Sequence, residues 1–483
     1  MFGQIISRRG LLKGAGAAAA ATILAACKPQ VVEVEKVVQQ TVVVDKPVQE
    51  TVVVEKAVEK TVVVEKQVTQ APSEAPRKAA DIILMYQTNE ISDDELKLFN
   101  EKYAPYKVTR IDVDFTKLFA MLAAGDPVDM VRVYGTYIPR YVIQRVCKDL
   151  TDYFDISTVV KPDDLMPVNG LYVVNGRRYG MVKDWSPDVS IWVNKKIWGE
   201  AGVQVPDPKK PLSLQEWRTL SPKLTKKEGD RTLIVGTDFE PHTHPLLWLT
   251  TTFDPPATLF SDDMTKLSLR DNPKTKDAIQ FFFDWKKEKG IPSVINPFPS
   301  ESWSGQDWVQ GQAAAVMWGY WFGGMAESDK VLGEDCLMLS AAQWGPNYTN
   351  PCVSGCGAFV TSTTRVPDAV WKLFEWFMGE EPAQNRAKSG WGVPGLKSML
   401  PLMPKDKPWR QHNFDMVNWE IENTKTPIAK WSPYIIPDTF TSTWTKYEEP
   451  ALKGQMTLDE MLKNIETEVN DALKDGVDRA AGA

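Results

Sequence analysis

From Asp81 to Val133 the chain switches repeatedly between a strand-like and a helix-like hydrophobic pattern, and this alternation limits its fold more than any other feature. Ile82-Ile83-Leu84-Met85-Tyr86 is a short unbroken apolar run, which reads as a strand buried on both faces. Ser92-Asp93-Asp94-Glu95 sets a hydroxyl and a carboxylate three residues apart, a capping box, before an amphipathic helix to about Tyr103. Val108, Ile111 and Val113 predict the next strand, Phe115 to Ala124 a helix stopped by Gly125, and Val128 to Val133 a third strand. That order implies a mainly parallel sheet covered by helices, an α/β fold. Such sheets bind ligands beyond the carboxyl ends of their strands. Gln87 and Asn89, in the loop Gln87 to Glu90 after the first strand, are therefore candidate ligand contacts, as are Tyr134 and Tyr137 after the third.

Further along, Tyr172 to Tyr179 reads as a hairpin whose Asn175-Gly176 pair suits a type I′ turn. It leads into Gly180 to Ser186 and a strand over Val189 to Asn194. Ser213 and Glu216 cap another helix. Asn272 to Glu288 predicts a long helix with Ile279, Phe282, Phe283 and Trp285 toward a core. Later helices are expected over Asp368 to Met378, Trp409 to Glu422 and Leu458 to Leu473.

Ahead of this core, Ser7-Arg8-Arg9-Gly10-Leu11-Leu12-Lys13 precedes the apolar segment Gly14 to Ala26. Cations, then apolar residues, then small ones outline an export signal, here with the paired arginines of the twin-arginine type. The segment is too short to span a bilayer as a helix. Leu24-Ala25-Ala26-Cys27 resembles the lipobox of bacterial lipoproteins, which implies removal of 1–26 and lipidation of Cys27. Behind it Thr41-Val42-Val43-Val44-Asp45-Lys46 recurs in register at Thr51 and Thr61. A ten-residue period is neither the seven nor the eleven of a coiled coil, and the units hold no aromatics or turns from which to build a solenoid. Residues 27–80 are expected to be a flexible tether, reaching about 180 Å if extended and about 40 Å as a coil.

The net charge is -7 with no long Lys/Arg cluster, which argues against nucleic acid as a partner. After Ala26 no run of eighteen apolar residues occurs. Cys147, Cys336, Cys352 and Cys356 are read as buried thiols or one structural bridge, and the Cys352–Cys356 spacing is not that of a redox or zinc site. His242 and His244 lack a ligand pattern around them, so no metal and no cofactor is expected. Neither a GxSxG nucleophile motif nor an HExxH motif is present.

Several segments resemble the sugar-type extracellular solute-binding proteins of bacterial ABC importers, the family of the maltose-binding protein. Ala123 to Asp129 is similar to the family's turn before the third strand, with Val128 interrupting its usual Pro-Asp pair. Asn175 to Gly180 resembles the hairpin entering the first interlobe crossing, Val193-Asn194-Lys195 the strand leaving it, and Gly311 to Gly319 a recrossing segment. Pro367 to Phe374 and Gly392 to Ser398 fit the later helix and loop. The resemblance implies a two-lobed, type II periplasmic-binding-protein-like fold with three interlobe crossings. Residues 81–182 and 319–370 would form one lobe, and 183–318 and 371–483 the other. The chain would be a monomeric, non-enzymatic receptor at the outer face of the cytoplasmic membrane. It would be anchored through Cys27 and would hand a carbohydrate to importer permease subunits. A carbohydrate-active envelope enzyme of glycosidase type, a receptor for a polyol or glycerol phosphate compound, and a structural or adhesive surface protein are the alternatives.

A sugar needs flat aromatics for its faces and polar groups for its edges. Of 18 tryptophans, Trp217, Trp285, Trp371 and Trp376 sit on helical patterns and read as core. By the resemblance, Trp321 and Trp444 fall at stacking positions, and Asp184 and Trp185 face the cleft at the first crossing. His244 and Trp248 fall in a stretch that lines the second lobe of relatives. Trp303, Trp344 and Trp391 lie in Gly/Ser/Pro-rich loops, where binding residues concentrate, and complete the candidates.

Overall fold

The computed structural model describes residues 78–239, 243–328 and 334–481, without the side chains of 243–245 and 328. The export signal, Cys27, the repeats and His242 lie outside the described residues. Nine strands make the two main sheets. In chain order they are β1 (Ala80–Met85), β2 (Tyr106–Ile111), β3 (Met130–Tyr134), β4 (Gly180–Trp185), β5 (Ile191–Asn194), β6 (Ala315–Met317), β7 (Cys336–Leu339), β8 (Cys356–Val360) and β9 (Val393–Pro394).

The first sheet has the order β9-β4-β8-β3-β1-β2. Its β1, β2 and β3 are parallel, as two crossover helices require, Asp93–Lys102 and Phe115–Ala124. β8 runs antiparallel between β3 and β4, so the sheet is mixed beyond its first three strands. The capping box forms: Glu95 N donates to Ser92 Oγ at 3.2 Å, and Ser92 N to Glu95 Oε2 at 2.8 Å. Ser213 and Glu216 repeat it at the helix Leu214–Leu224, each such cap being worth about 1 kcal/mol. In the hairpin both Asn175 (φ 49°) and Gly176 (φ 75°) are left-handed, the requirement of a type I′ turn.

The second sheet, β6-β5-β7, is antiparallel, and residues 235–238 bridge along β6. The chain leaves the first sheet after β4 and returns to it at β8. Strand pairing redraws the expected lobe boundaries. β7, within 319–370, pairs with β5 in the second sheet, and β9, within 371–483, pairs with β4 in the first. The helix Pro367–Gly379 likewise packs with the first sheet, its Val370, Phe374 and Phe377 clustered with Ile82, Leu84 and Phe99. Hydrogen bonding and packing assign these stretches, and neither is visible in their spacing along the chain.

A large apolar core lies around the second sheet, where Trp198, Trp217, Trp248 and Trp285 join Ile191 and Ile465. Trp217, Trp285, Trp371 and Trp376 are all buried, as their helical spacing predicts. The last helix runs on to Ala481, past the expected Leu473. The four described cysteines are buried free thiols.

Candidate functional site

The carboxyl ends of β1, β3 and β4 open onto a cavity of about 480 Å³ whose opposite wall comes from the second lobe. Its first wall carries an alternating ladder of buried charges. Glu90, in the loop after β1, receives Arg132 of β3 through Nε at 3.2 Å and a terminal nitrogen at 3.3 Å. Lys183 of β4 stands 3.7 Å from Glu90 and 3.4 Å from Asp184. Asp184 accepts Nε of Arg386 at 2.9 Å, from the helix Glu381–Ser389. Three cations thus hold two carboxylates. Burial alone would raise Glu90, but Lys183 and Arg132 outweigh it and hold the carboxyl at about 2. Aromatic rings fix the guanidinium planes: Arg132 lies 4.3 Å over Tyr134, and Arg386 5.1 Å over Trp391. Each guanidinium spends only part of its fork on its carboxylate, so donors remain at the cavity wall for hydroxyl or acid oxygens.

The second wall is aromatic. Trp318 and Trp321 follow β6 and meet edge to face at 5.4 Å. Trp318 Nε1 donates to Ser304 Oγ at 2.9 Å, which fixes the indole. Trp185, at the end of β4 and so on the first wall, also lines the cavity, with a buried Nε1–H that has no acceptor among the described residues. A buried donor left so costs on the order of 1–3 kcal/mol.

One hydrogen bond joins the walls across the cavity, and one carboxylate ties two connecting segments together. Tyr137 Oη donates to Asp438 Oδ1 at 2.8 Å, joining the loop after β3 to the start of the helix Pro437–Leu452. Asp188, on the segment between β4 and β5, accepts from the Val353 and Ser354 amides at 2.7 and 3.0 Å. Burial raises its carboxyl to about 6 against those bonds.

Eight candidates line this cavity together: Gln87, Asn89, Tyr134, Tyr137, Asp184, Trp185, Trp321 and Trp391. Three do not. Trp444 is 3% exposed in the second-lobe core, tilted against Phe440, with Nε1 donating to Glu448 at 3.0 Å. Its helix turns that face inward, so a stacking role is corrected to a packing one. Trp344 lies against Phe281 at 5.1 Å, on the same core. Trp303 stands outside the cavity, edge-on to Trp318 at 5.5 Å. Trp248 is buried, and its Nε1 donates to the Thr349 carbonyl at 2.9 Å.

The ladder itself escaped the sequence reading. Arg132 and Lys183 are cations inside apolar strands, a usable signal, since a strand buried on both faces carries a charge only if something pairs it. Arg386 sits in an ordinary polar helix, and no local pattern distinguishes it. Among the described residues no cluster of three His, Cys, Asp or Glu could hold a metal ion, and no helix is long and apolar enough to cross a membrane.

No curated protein matches the chain in sequence. Solved structures do match in fold. The ABC substrate-binding protein Lmo0181 from Listeria monocytogenes, in complex with cycloalternan, is 19% identical, with a TM-score of 0.68 over 82% of this chain and 100% of that one. Maltose-bound MalE3 of T. maritima is 18% identical, with a TM-score of 0.64 over 82% and 99% of the two chains. A solute-binding protein from Agrobacterium vitis S4 with bound D-mannitol gives 18% identity and a TM-score of 0.64 over 82% and 98%. These likenesses speak for a mixed α/β, two-lobed fold. The family model for bacterial extracellular solute-binding proteins matches residues 79–384, more than half of the sequence, and the chain belongs to that family.

Proposed function

We propose that the chain is a lipid-anchored receptor that takes a carbohydrate into this cavity and delivers it to an ABC importer. The observation that carries the reading is the pairing of indole faces, drawn from both walls, with a charge ladder on the first. Trp185, Trp318, Trp321 and Trp391 offer flat apolar faces, and the Arg132–Glu90–Lys183–Asp184–Arg386 ladder offers fixed donors and acceptors. Sugar rings need both, on the face and on the edge. Glu90, kept ionised by its cations, suits accepting a hydrogen bond from a hydroxyl and does not suit general-acid work. Relatives of similar fold hold cycloalternan, maltose and D-mannitol, which supports a polyhydroxylated ligand. The export-signal outline, the lipobox-like run ending in Cys27 and the charged Val-rich repeats support an anchor at the outer face of the cytoplasmic membrane with reach toward a permease.

The test is calorimetry and thermal melting of the purified protein against maltose, mannobiose, β-1,6-galactobiose, tagatose and mannitol. A stoichiometric ligand should raise the melting temperature, and above its Kd the rise should grow with the logarithm of ligand concentration. Steady hydrolysis of a disaccharide, or no stabilisation by any member, would refute the reading. Labelled fatty acid should enter the protein in cells, and Cys27→Ser should abolish its incorporation.

A further inference from the structure

We infer that the binding site continues past the cavity onto Trp303, which receives the outer ring of an oligosaccharide; this rests on the carbohydrate reading above. Among the described residues four large apolar side chains are exposed, and Trp303, at 36%, is the only aromatic one. An indole is costly to leave in water, yet this one is held in place there. Its benzo ring lies against Gly305, where an added Cβ would come within 2.2 Å of it. Its edge contact with Trp318, 5.5 Å between centroids at 81°, fixes it from the other direction. Trp318 is itself pinned by Ser304, the residue next to Trp303, and meets Trp321 at 5.4 Å. Ser304, Trp318 and Trp321 line the cavity, and Trp303 does not. Three indoles therefore run in series from the cavity wall to solvent. A preorganised aromatic platform at a cavity mouth binds the C–H face of a sugar ring at low entropic cost. A monosaccharide held on the charge ladder does not reach it. A chain of sugars leaving the cavity along the Trp321–Trp318 wall does, so Trp303 sets preference for ligand length.

The experiment is calorimetric titration of the full-length protein with mannose, mannobiose and mannotriose, and with glucose, maltose and maltotriose. Wild type, Trp303→Ala and Trp303→Phe are compared, with melting curves to verify that each variant folds. In the series that binds, Trp303→Ala should weaken the longest sugar on the order of tenfold. It should leave the shortest bound sugar unchanged, and Trp303→Phe should restore most of the loss. An equal loss at every length, or no loss at any, overturns the inference while the carbohydrate reading stands. No binding of any of the six sugars, nor of β-1,6-galactobiose, tagatose or mannitol, by wild type overturns the carbohydrate reading, and this inference with it.

Discussion

Replacing Glu90 by Gln removes one of two anions from a cluster that holds three cations. Its side chain is 6% exposed, and the neighbouring Arg132 and Lys183 side chains are 8% and 1% exposed. Two routes give the cost. Breaking a buried pair by deleting one partner typically costs about 3–5 kcal/mol, because the other charge stays buried. Independently, the Glu90 carboxyl is held at about 2 against an ordinary value of 4.5, a depression on the order of 3 kcal/mol. The folded value is the lower one, so this stability is present above pH 4.5 and is lost as pH falls toward 2. By pH 3 less than half of it remains. Urea denaturation of wild type and Glu90→Gln from pH 7.5 to pH 3 should thus show a gap of about 3 kcal/mol that roughly halves at the acid end. A gap that is constant across pH would mean that lost packing or hydrogen bonding dominates. A gap below about 1 kcal/mol at pH 7.5 would refute the ladder as an energetic unit.

The two tryptophans that the family resemblance treats alike should separate. Trp321→Ala should abolish sugar binding and leave the melting temperature near wild type, whereas Trp444→Ala should cost about 3–5 kcal/mol of stability with little change in affinity once folded; equal phenotypes would contradict the placement of Trp444 in the core. Glu420 is fully buried, accepts from the Ala341 amide at 2.8 Å and from Tyr348, and burial raises it to about 7. Its folded value lies above the unfolded one, so its contribution is complete below about pH 4.5 and is lost as pH rises through 7; Glu420→Gln should gain about 2 kcal/mol on wild type between pH 5 and pH 8.5, and a pH-independent difference would refute this. Burial pushes all four described thiols up, Cys356 to about 12, so a thiol reagent should leave them unmodified in the native protein and modify all four in denaturant; fast native labelling would contradict their burial.

What the sequence made legible was mostly local. The capping boxes at Ser92 and Ser213, the Gly125 stop and the Asn175-Gly176 turn each depend on a few adjacent residues, and each formed where expected. The loops after β1 and β3 were legible because a parallel strand order fixes which end of the sheet is open. The lobe boundaries were not, because β7 joins β5 in the second sheet and β9 joins β4 in the first, each from more than 140 residues away in the chain. Arg386 joined the site through the same long-range pairing, which brings its helix beside β4. Trp444 shows the opposite failure. A position can align with a binding tryptophan and still face inward, because a helix hides or shows a side chain according to about 100° of rotation per residue.

The distribution of bonds also bears on how such a site could close. The charge ladder runs entirely between β3, β4, the loop after β1 and the helix Glu381–Ser389, all on the first sheet's side. The indole series is likewise held by its own lobe, through Ser304, Phe322 and the residues after β6. Each wall therefore keeps its order whether or not it faces the other. Among the described residues, the hydrogen bonds that pass between them at the cavity and its rim include Tyr137 to Asp438, Arg140 to the Gly476 carbonyl at 3.3 Å, and the Trp321 amide to Ser186 Oγ at 3.2 Å. At about 1 kcal/mol net apiece, these are small beside the contacts a ligand of several rings would make with both walls. Only a ligand's differential affinity for the closed form can shift a two-state lobe equilibrium. A ligand touching one wall alone would bind without closing the cleft. One that spends its ring faces on Trp318 and Trp321 and its hydroxyls on Arg132 and Arg386 would gain the second set of contacts only when closed, and that difference is what would make capture a signal.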